Sequence, residues 1–271
     1  MAVDLKALLA DLLAETRVLT DLIADLDEAG WDAPTPAAGW AVRDQVSHLA
    51  YFDETATLAA TDPDRFRAEA AELMKVGPGF PDEVADQCRA LPVAELLGWF
   101  NQARQELVRV FADLDPKARL PWYGPDMSAA SSITARLMET WAHGQDVADT
   151  VGVQREPTTR LRHIAHLGVG TFGFVYRLNN RPVPDTPVRV ELAAPDGDQW
   201  VWGPAGVSDT VTGPALDFCL AVTQRRHVED TALRVTGPVA TDWMTIAQAF
   251  AGAPGPGRGP GAIDAYRAAS S

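Results

Sequence analysis

Three side chains that could hold a divalent metal ion stand out in the sequence: His48, Glu139 and His143. Glu139 and His143 are four residues apart in RLMETWAH, so a helix would place both on one face. His48 lies in the apolar segment VSHLAYF, where a buried imidazole needs a polar partner. One carboxylate and two neutral imidazoles can bind a zinc-like ion and leave a coordination position for water or substrate. A hydrogen-bonded core histidine is the alternative for each imidazole.

Helices must position these residues, and the spacing of apolar residues predicts them. Four long amphipathic helices are expected at residues 3–27, 42–60, 93–114 and 128–151, separated by segments that contain Pro and Gly. His48 lies in the second helix, and the other two residues lie in the fourth. Helices of this length with modest loops favour an antiparallel four-helix bundle with an interior site. A further helix at 158–178 would lead out of the bundle.

The pattern changes after residue 181. The segments VRVELAA, QWVWG and ALRVTG are typical of strands, and PALDFCLAVTQRR and TDWMTIAQAFAG of helices. The predicted fold class is therefore α+β: a helical bundle over residues 1–180 and a small α+β domain over residues 181–252. Residues 253–271 are rich in Gly and Pro, which predicts a flexible tail.

Composition excludes several classes of protein. With 37 acidic and 23 basic residues the net charge is −14, which repels nucleic-acid phosphates and anionic lipid headgroups. No apolar run approaches the roughly 20 residues of a membrane-spanning helix, and the N-terminus lacks the features of a secretory signal. Cys88 and Cys219 form no CxxC pair, which argues against a disulfide scaffold or a thiolate zinc site. We expect a cytoplasmic protein without nucleic-acid or membrane partners.

Two charged residues near the predicted ligands are candidates for catalysis. Asp146, nearly one turn after His143, could orient that imidazole or act as a base, with a solvated acidic residue near a helix end as the alternative. Arg136, three residues before Glu139, could pair with that carboxylate or bind an anionic substrate group. A surface salt bridge is the alternative for Arg136.

Three further polar residues are weaker candidates for a role at the metal site. Asp44 precedes His48 by one turn, but its place in the first turn of a helix already explains an acidic residue. His163 and His166 are three residues apart on the following helix and could supply a further ligand or a base. We favour a solvated or capping role for both histidines.

The tryptophans are predicted to be core residues. Trp31, Trp40 and Trp141 all lie in or next to predicted bundle helices, where large aromatic side chains usually pack in the interior. Trp141 lies between the two predicted ligands of the fourth helix, so it could also form a wall of the pocket.

The segment GW-x-VRDQVSHLAYFD, followed later by E-x-x-x-H-x-x-D, resembles the DinB-like metal-binding bundle of the mycothiol-dependent maleylpyruvate isomerase family. The resemblance implies a ligand set of His48, Glu139 and His143. It also implies that the region after residue 181 is similar to the sterol-carrier-like domain of those proteins. The segments RLRHIAHLG and ALDFCLAVTQRRH resemble an actinobacterial subgroup described as metal-binding.

The resemblance implies thiol chemistry on a small, anionic molecule. A mycothiol-like thiolate could add to an activated double bond and leave again, which is isomerisation, or stay attached, which is transfer. An external thiol is a better nucleophile candidate than either cysteine of the chain. Cys88 has no histidine beside it in the sequence, and Cys219 lies in an apolar helix. In the resembled isomerases an arginine of the second domain reaches toward the substrate, so Arg225 or Arg226 could bind its carboxylate. Their place at a helix end offers a simpler explanation.

Other functions remain compatible with the sequence. The protein could be a non-catalytic metal-binding or ligand-carrier protein, or a hydrolase that uses metal-bound water. Zinc suits the ligand set best, and nickel, manganese and iron also accept mixed nitrogen and oxygen ligands. The oligomeric state is open, and a homodimer is compatible with the sequence.

Overall fold

The computed structural model describes residues 4–77, 79–255 and 257–269, which form two compact units, Met1–Val153 and Gln154–Ser271. The first unit is mainly helical and the second combines helices with a four-stranded sheet, which confirms the predicted fold class. The sequence predicted a bundle domain that extends to residue 180, whereas the first unit ends at Val153. None of the described helices combines the length and apolar content that a bilayer crossing requires.

Four long helices build the first unit, as predicted. The α-helices are α1 Leu5–Ile23, α2 Glu28–Trp31, α3 Val42–Thr61, α4 Pro63–Leu73, α5 Phe80–Cys88, α6 Val93–Phe111 and α7 Ala129–Thr150. Helix α3 packs against α6 and α7, and α1 packs against α7. A 3-10 turn spans Met74–Val76, and a small hairpin pairs β1 Arg119–Leu120 with β2 Met127–Ser128. The sequence did not predict α2, α4 and α5, which are short helices between the four long ones.

Local sequence signals determine where α3 begins and ends. Asp44 in its first turn accepts a hydrogen bond from the Ala41 N–H at 2.8 Å, so this carboxylate caps the helix start. The helix ends at Thr61, because the residue before Pro63 disfavours helical geometry. The Asp62 carboxylate then accepts the Arg65 N–H and starts α4. His48 is thereby held within the first half of a long, regular helix.

A buried ion network joins the helices of the bundle. Asp53 on α3 accepts Arg104 Nε at 2.6 Å and Arg136 Nε at 2.9 Å, and all three side chains are at most 3% exposed. The same Arg104 guanidinium donates to Thr16 Oγ1 on α1 at 2.5 Å and to Thr140 Oγ1 on α7 at 3.0 Å. Each of the four long helices therefore contributes a polar side chain to one buried cluster.

The second unit is an α+β domain. Its elements are α8 Leu161–Gly170, α9 Phe172–Leu178, β3 Val188–Ala193, β4 Gln199–Trp202, β5 Asp209–Pro214, α10 Ala215–Val222, a 3-10 turn Val228–Asp230, β6 Arg234–Thr236, α11 Pro238–Met244 and α12 Ala262–Ala269. The sheet order is β4-β3-β5-β6. Strands β3 and β5 are parallel, whereas β4 and β6 each pair antiparallel with their neighbour. Alternate residues of β3 and β5 are buried, among them Val190, Leu192 and Val211.

Helices α8 and α10 pack closely in this unit. A Cβ atom on Gly168 would lie 2.8 Å from Val222 Cγ2, so only glycine allows the observed approach. The Cys219 thiol also donates to the Leu161 carbonyl at 3.4 Å. This packing explains why α8 belongs to the second compact unit.

Several sequence predictions for this unit differ from the structure. The helix expected at 158–178 is two helices that meet at Thr171, after the poor helix formers Gly168 and Gly170. Strand β5 was missed, because its pairing with β3 is non-local and its sequence DTVTGP contains Gly and Pro. The helix expected from TDWMTIAQAFAG ends at Met244. The predicted flexible tail contains α12, in which Ile263 is buried.

The Asp53 network predicts a large loss of stability on substitution. Asp53→Ala should lower the free energy of unfolding of the full chain by about 3–5 kcal/mol, because two buried guanidinium groups would lose their carboxylate. Urea denaturation followed by circular dichroism measures the change. Glu106→Ala is the control, since the Glu106–Arg109 pair is exposed and should contribute little. Equal effects of the two substitutions would contradict this account.

Candidate metal centre

Helices α3 and α7 bring His48, Glu139 and His143 together. One ligand atom from each side chain lies within 4.8 Å of the other two. Glu139 Oε2 is 3.1 Å from His143 Nε2 and 3.8 Å from His48 Nε2. Ligands about 2 Å from a shared tetrahedral ion are roughly 3–3.5 Å apart, so small side-chain shifts would suffice to coordinate one ion. In the described part of the chain, no other group of three such residues is this close.

Gln45 determines which nitrogen of His143 faces Glu139. The Thr35 hydroxyl donates to the Trp40 carbonyl at 2.9 Å, so it accepts the Gln45 Nε2 amide at 2.8 Å. The Gln45 carbonyl oxygen therefore points to His143 Nδ1, 2.5 Å away, and accepts its proton. This arrangement leaves Nε2 of a neutral His143 as an acceptor.

The donor set fits a divalent cation. When His143 is neutral, its Nε2 and the Glu139 carboxylate are both acceptors and face each other at 3.1 Å, an arrangement that a proton or a cation between them would stabilise. The ring nitrogen of His48 that approaches Glu139 is Nε2, whereas its buried Nδ1 has no hydrogen-bond partner among the described residues. Two imidazoles and one carboxylate are ligands that zinc and similar ions prefer.

Burial and neighbouring groups shift the pKa values of His48 and Glu139. Burial, together with the nearby His143, lowers the pKa of His48 to about 4, so this imidazole is neutral at pH 7 and can act as a ligand. Burial by itself would raise the pKa of Glu139, but contacts with His143 and His48 outweigh it and lower the pKa well below its ordinary value. A neutral imidazole and an ionised carboxylate are the protonation states that metal binding requires.

Aromatic rings flank the imidazoles. Trp40 stacks on His143 with ring centroids 5.8 Å apart, and it contacts His48 at 5.2 Å. Phe52, one turn after His48, lies 4.5 Å from that ring. Trp31 and Trp141 are buried as predicted, but Trp40 is only partly buried, so it is not a simple core residue.

The other predicted residues of the first unit have different surroundings. Asp146 is fully buried, so the alternative of a solvated acidic residue is wrong. Arg136 is also buried and pairs with Asp53, so the alternative of a surface salt bridge is wrong. Asp44 caps α3, as its position predicted, and it also binds Arg89 Nε at 3.0 Å. Catalytic roles for Asp146 and Arg136 stay predictions.

Four predicted polar residues belong to the second unit. His166 accepts a hydrogen bond from Trp202 Nε1 at 3.2 Å, and His163 is partly buried on the same helix. Arg225 follows the end of α10 and donates to the Thr223 carbonyl at 2.8 Å, as the helix-end explanation predicts. Arg226 donates to the Arg225 carbonyl at 2.7 Å. A substrate-binding role for Arg225 stays a prediction.

Sequence reasoning missed Gln45, Thr35 and Asp53. Gln45 lies three residues before His48 in DQVSH, so helical spacing could have placed it on the same face. Thr35 lies in the loop before α3 and meets Gln45 only in the folded chain. Asp53 ends the segment GW-x-VRDQVSHLAYFD, but the sequence did not identify its partners, because both arginines come from other helices.

Residues 12–148 match the family model described as the mycothiol maleylpyruvate isomerase N-terminal domain, and the match covers half of the chain. The chain belongs to this family. The matched segment includes all three residues of the candidate metal centre. Residues 184–236 of the second unit match the model described as wyosine base formation. The resemblance seen in the sequence was to a sterol-carrier-like domain instead.

Two relatives and two solved structures are similar to this chain over most of its length. Uncharacterized proteins from two strains of Mycobacterium tuberculosis are each 47% identical over 250 residues, which covers 92% of this chain and 97% of the relative. The crystal structure of the mycothiol-dependent maleylpyruvate isomerase superimposes with a TM-score of 0.56 and 14% identity, over 82% of this chain and 90% of that one. A histidine-to-alanine variant of that enzyme gives the same values. At this identity the likeness shows a shared fold.

Gln45 is predicted to control metal affinity without being a ligand. Gln45→Leu should weaken zinc binding by about 10–100-fold, because His143 loses the acceptor that fixes its tautomer. Competition with a chromophoric chelator measures the affinity. Gln45→Glu is the matched control: its carboxylate can still accept the Nδ1 proton, so affinity should be retained. Equal affinities of the Leu and Glu variants would refute the positioning role.

The two cysteines should differ in reactivity. Burial raises the pKa of the Cys219 thiol, and Cys219 is 0% exposed, so it should react with a disulfide reagent only after unfolding. Burial and the carboxylates of Asp44 and Glu54 raise the pKa of the partly exposed Cys88 thiol. Its reaction should be slow at neutral pH and faster at higher pH, as thiolate forms. In the Cys88→Ser variant Cys219 is the remaining cysteine, so the folded variant should not react with the reagent. A fast reaction of this variant would contradict the burial of Cys219.

Proposed function

We propose that the protein is a metal-dependent enzyme that uses a low-molecular-weight thiol of the mycothiol type. His48, Glu139 and His143 would hold one divalent ion, with zinc as the best fit and nickel, manganese or iron as further candidates. The observation that carries the proposal is that one ligand atom from each of these three side chains lies within 4.8 Å of the other two. Membership of the mycothiol maleylpyruvate isomerase N-terminal family supports the choice of thiol. The reaction would be isomerisation of, or transfer to, a small substrate.

Partial exposure of the ligands supports a catalytic rather than a structural ion. The side chains of His48 and Glu139 are 13% and 18% exposed, so a small molecule can approach them. A bound divalent ion would lower the pKa of a thiol or water molecule in its remaining coordination position. Structural zinc sites, in contrast, have four protein ligands.

The chain's own residues would prepare the site. Gln45 keeps the Nε2 lone pair of His143 directed at Glu139, and Glu139 stays ionised at neutral pH. Because both ring nitrogens of His143 already face other groups, Asp146 would act as a base rather than orient that ring. Arg136 would keep α7 in place through Asp53. Arg225 would bind an anionic group of the substrate. Two free cysteines fit our placement of the protein in the cytoplasm, where thiol co-substrates stay reduced.

Metal content tests the site. Protein purified without chelator should contain about one equivalent of metal, and His143→Ala should lose most of it, because two ligands hold an ion far less tightly than three. Elemental analysis provides the measurement. His166→Ala is the control histidine of the second unit and should keep the metal. A metal-free wild type, or equal metal content in all three proteins, would contradict the proposal.

Thiol dependence tests the chemistry. Adding mycothiol to the Co²⁺-loaded protein should change its visible absorption, and the His143→Ala variant treated in the same way should show no change. A loaded protein that does not respond to mycothiol would refute the thiol-dependent reaction. Hydrolysis by bound water, or a non-catalytic role, would then account for the site.

A further inference from the structure

Two aromatic rings contact the imidazole of His48, whose second nitrogen has no polar group to orient it. Metal-binding histidines usually donate their second N–H to a carboxylate or a carbonyl, which fixes the ring. In His48 this nitrogen is Nδ1, which is buried and has no hydrogen-bond partner among the described residues. The ring instead contacts Phe52 at 4.5 Å and Trp40 at 5.2 Å, measured between ring centroids. The orientation of His48 therefore depends on these aromatic contacts.

Trp40 also contacts the other candidate imidazole. Its indole stacks on His143, with the ring planes 18° apart and the centroids at 5.8 Å. The hydrogen bond from Nδ1 to Gln45 fixes one edge of the His143 ring but still allows the ring to tilt about that bond. A flat aromatic face against the ring restricts this tilt. One side chain thus contacts candidate ligands from both α3 and α7.

Hydrogen bonds help to hold Trp40 in this place. The residue is only partly buried, and a cavity of about 390 Å³ beside it is lined by Trp40, Arg43 and Arg89 among others. Packing therefore does not fix the indole on that side. The indole Nε1 donates to Asp82 Oδ1 at 2.7 Å, and Asp82 lies in the first turn of α5. The Trp40 carbonyl also accepts the Thr35 N–H at 2.7 Å, which holds the main chain.

Helix α5 carries none of the three candidate ligands, yet the segment around it is joined to the loop before α3 at two points. Asp82 binds the indole, and Arg89, directly after α5, donates to the Gly39 carbonyl at 2.7 Å. Arg89 also binds Asp44, the residue that caps α3. Of the two contacts with the loop, the one from Asp82 acts on the ring that meets the imidazoles.

We propose that Trp40, held by Asp82, is a positioning residue that orients both imidazoles for one metal ion. The inference rests on the proposed function, because it requires an ion at His48, Glu139 and His143. Trp40 contacts the ligands and not the ion, and Asp82 acts through Trp40. Without this hydrogen bond the indole can turn away, and the two imidazoles then have to be ordered when the ion binds, which lowers the affinity.

Binding of Co²⁺ to the metal-free full chain tests the inference. Competition with a chromophoric chelator measures the affinity, and the visible absorption of bound Co²⁺ reports the ligand geometry. Asp82→Ala should weaken Co²⁺ binding by about 3- to 10-fold and alter the absorption, because the indole loses its acceptor. Asp82→Asn should keep the wild-type values, since its side-chain carbonyl can still accept the Nε1 proton. Glu83→Ala is the matched control, an acidic residue of the same helical turn, and should also keep them.

A double substitution shows whether Asp82 acts through the indole. Trp40→Phe keeps an aromatic face but has no N–H, so it should weaken Co²⁺ binding by itself. In the Trp40→Phe background, Asp82→Ala should cause no further loss, because both changes remove the same hydrogen bond. A further loss as large as in the wild-type background would overturn the inference. An equal loss in Glu83→Ala would do the same, since the effect would then be one of charge.

The outcomes separate this inference from the proposed function. Wild-type protein that binds no Co²⁺ would refute the candidate metal centre and with it the proposed function. Wild-type protein that binds Co²⁺, with the same affinity and absorption in Asp82→Ala, would overturn the positioning role alone. Asp82 is exposed, so its replacement should leave the fold intact, which circular dichroism checks in each variant. Trp40→Phe tests the same hydrogen bond independently.

Discussion

The ion network around Asp53 is the interaction on which the rest of the first unit depends. One carboxylate binds guanidinium groups from α6 and α7, and all three side chains are excluded from water. Sliding one helix past another would leave a buried charge unpaired, which is strongly unfavourable. Arg136 lies one turn before Glu139, and Asp53 lies shortly after His48. The network therefore also sets the register between the two helices that carry the candidate ligands.

Two kinds of interaction determine the surroundings of the candidate metal centre. On one side, Thr35 and Gln45 fix the tautomer of His143 through hydrogen bonds, which are directional. On the other, Trp40 and Phe52 pack against the imidazoles and provide apolar surroundings. The proposed function uses both, because a metal ion needs oriented ligands and a thiol reaction benefits from a site with little water.

Much of the fold follows from local patterns. The four long helices of the bundle were predicted from apolar spacing, with the end of α3 at Asp62-Pro63, because helix formation and capping depend on residues a few positions apart. Strands β3, β4 and β6 were recognised by their β-branched and aromatic residues. Strand β5 was not recognised, since its pairing with β3 joins distant segments. The break at Thr171 was also missed, although Gly168 and Gly170 are poor helix formers.

By itself the sequence determined the types and helical spacing of Glu139 and His143, and the presence of His48 in an apolar helix. Only the tertiary structure decided that these side chains face one another, which nitrogen of His143 is the acceptor, and that Trp40 rather than Trp141 stacks on it. It also gave Arg136 a buried partner in Asp53. The physical reason is that helical periodicity relates residues within one helix, whereas contacts between helices depend on how their side chains pack together.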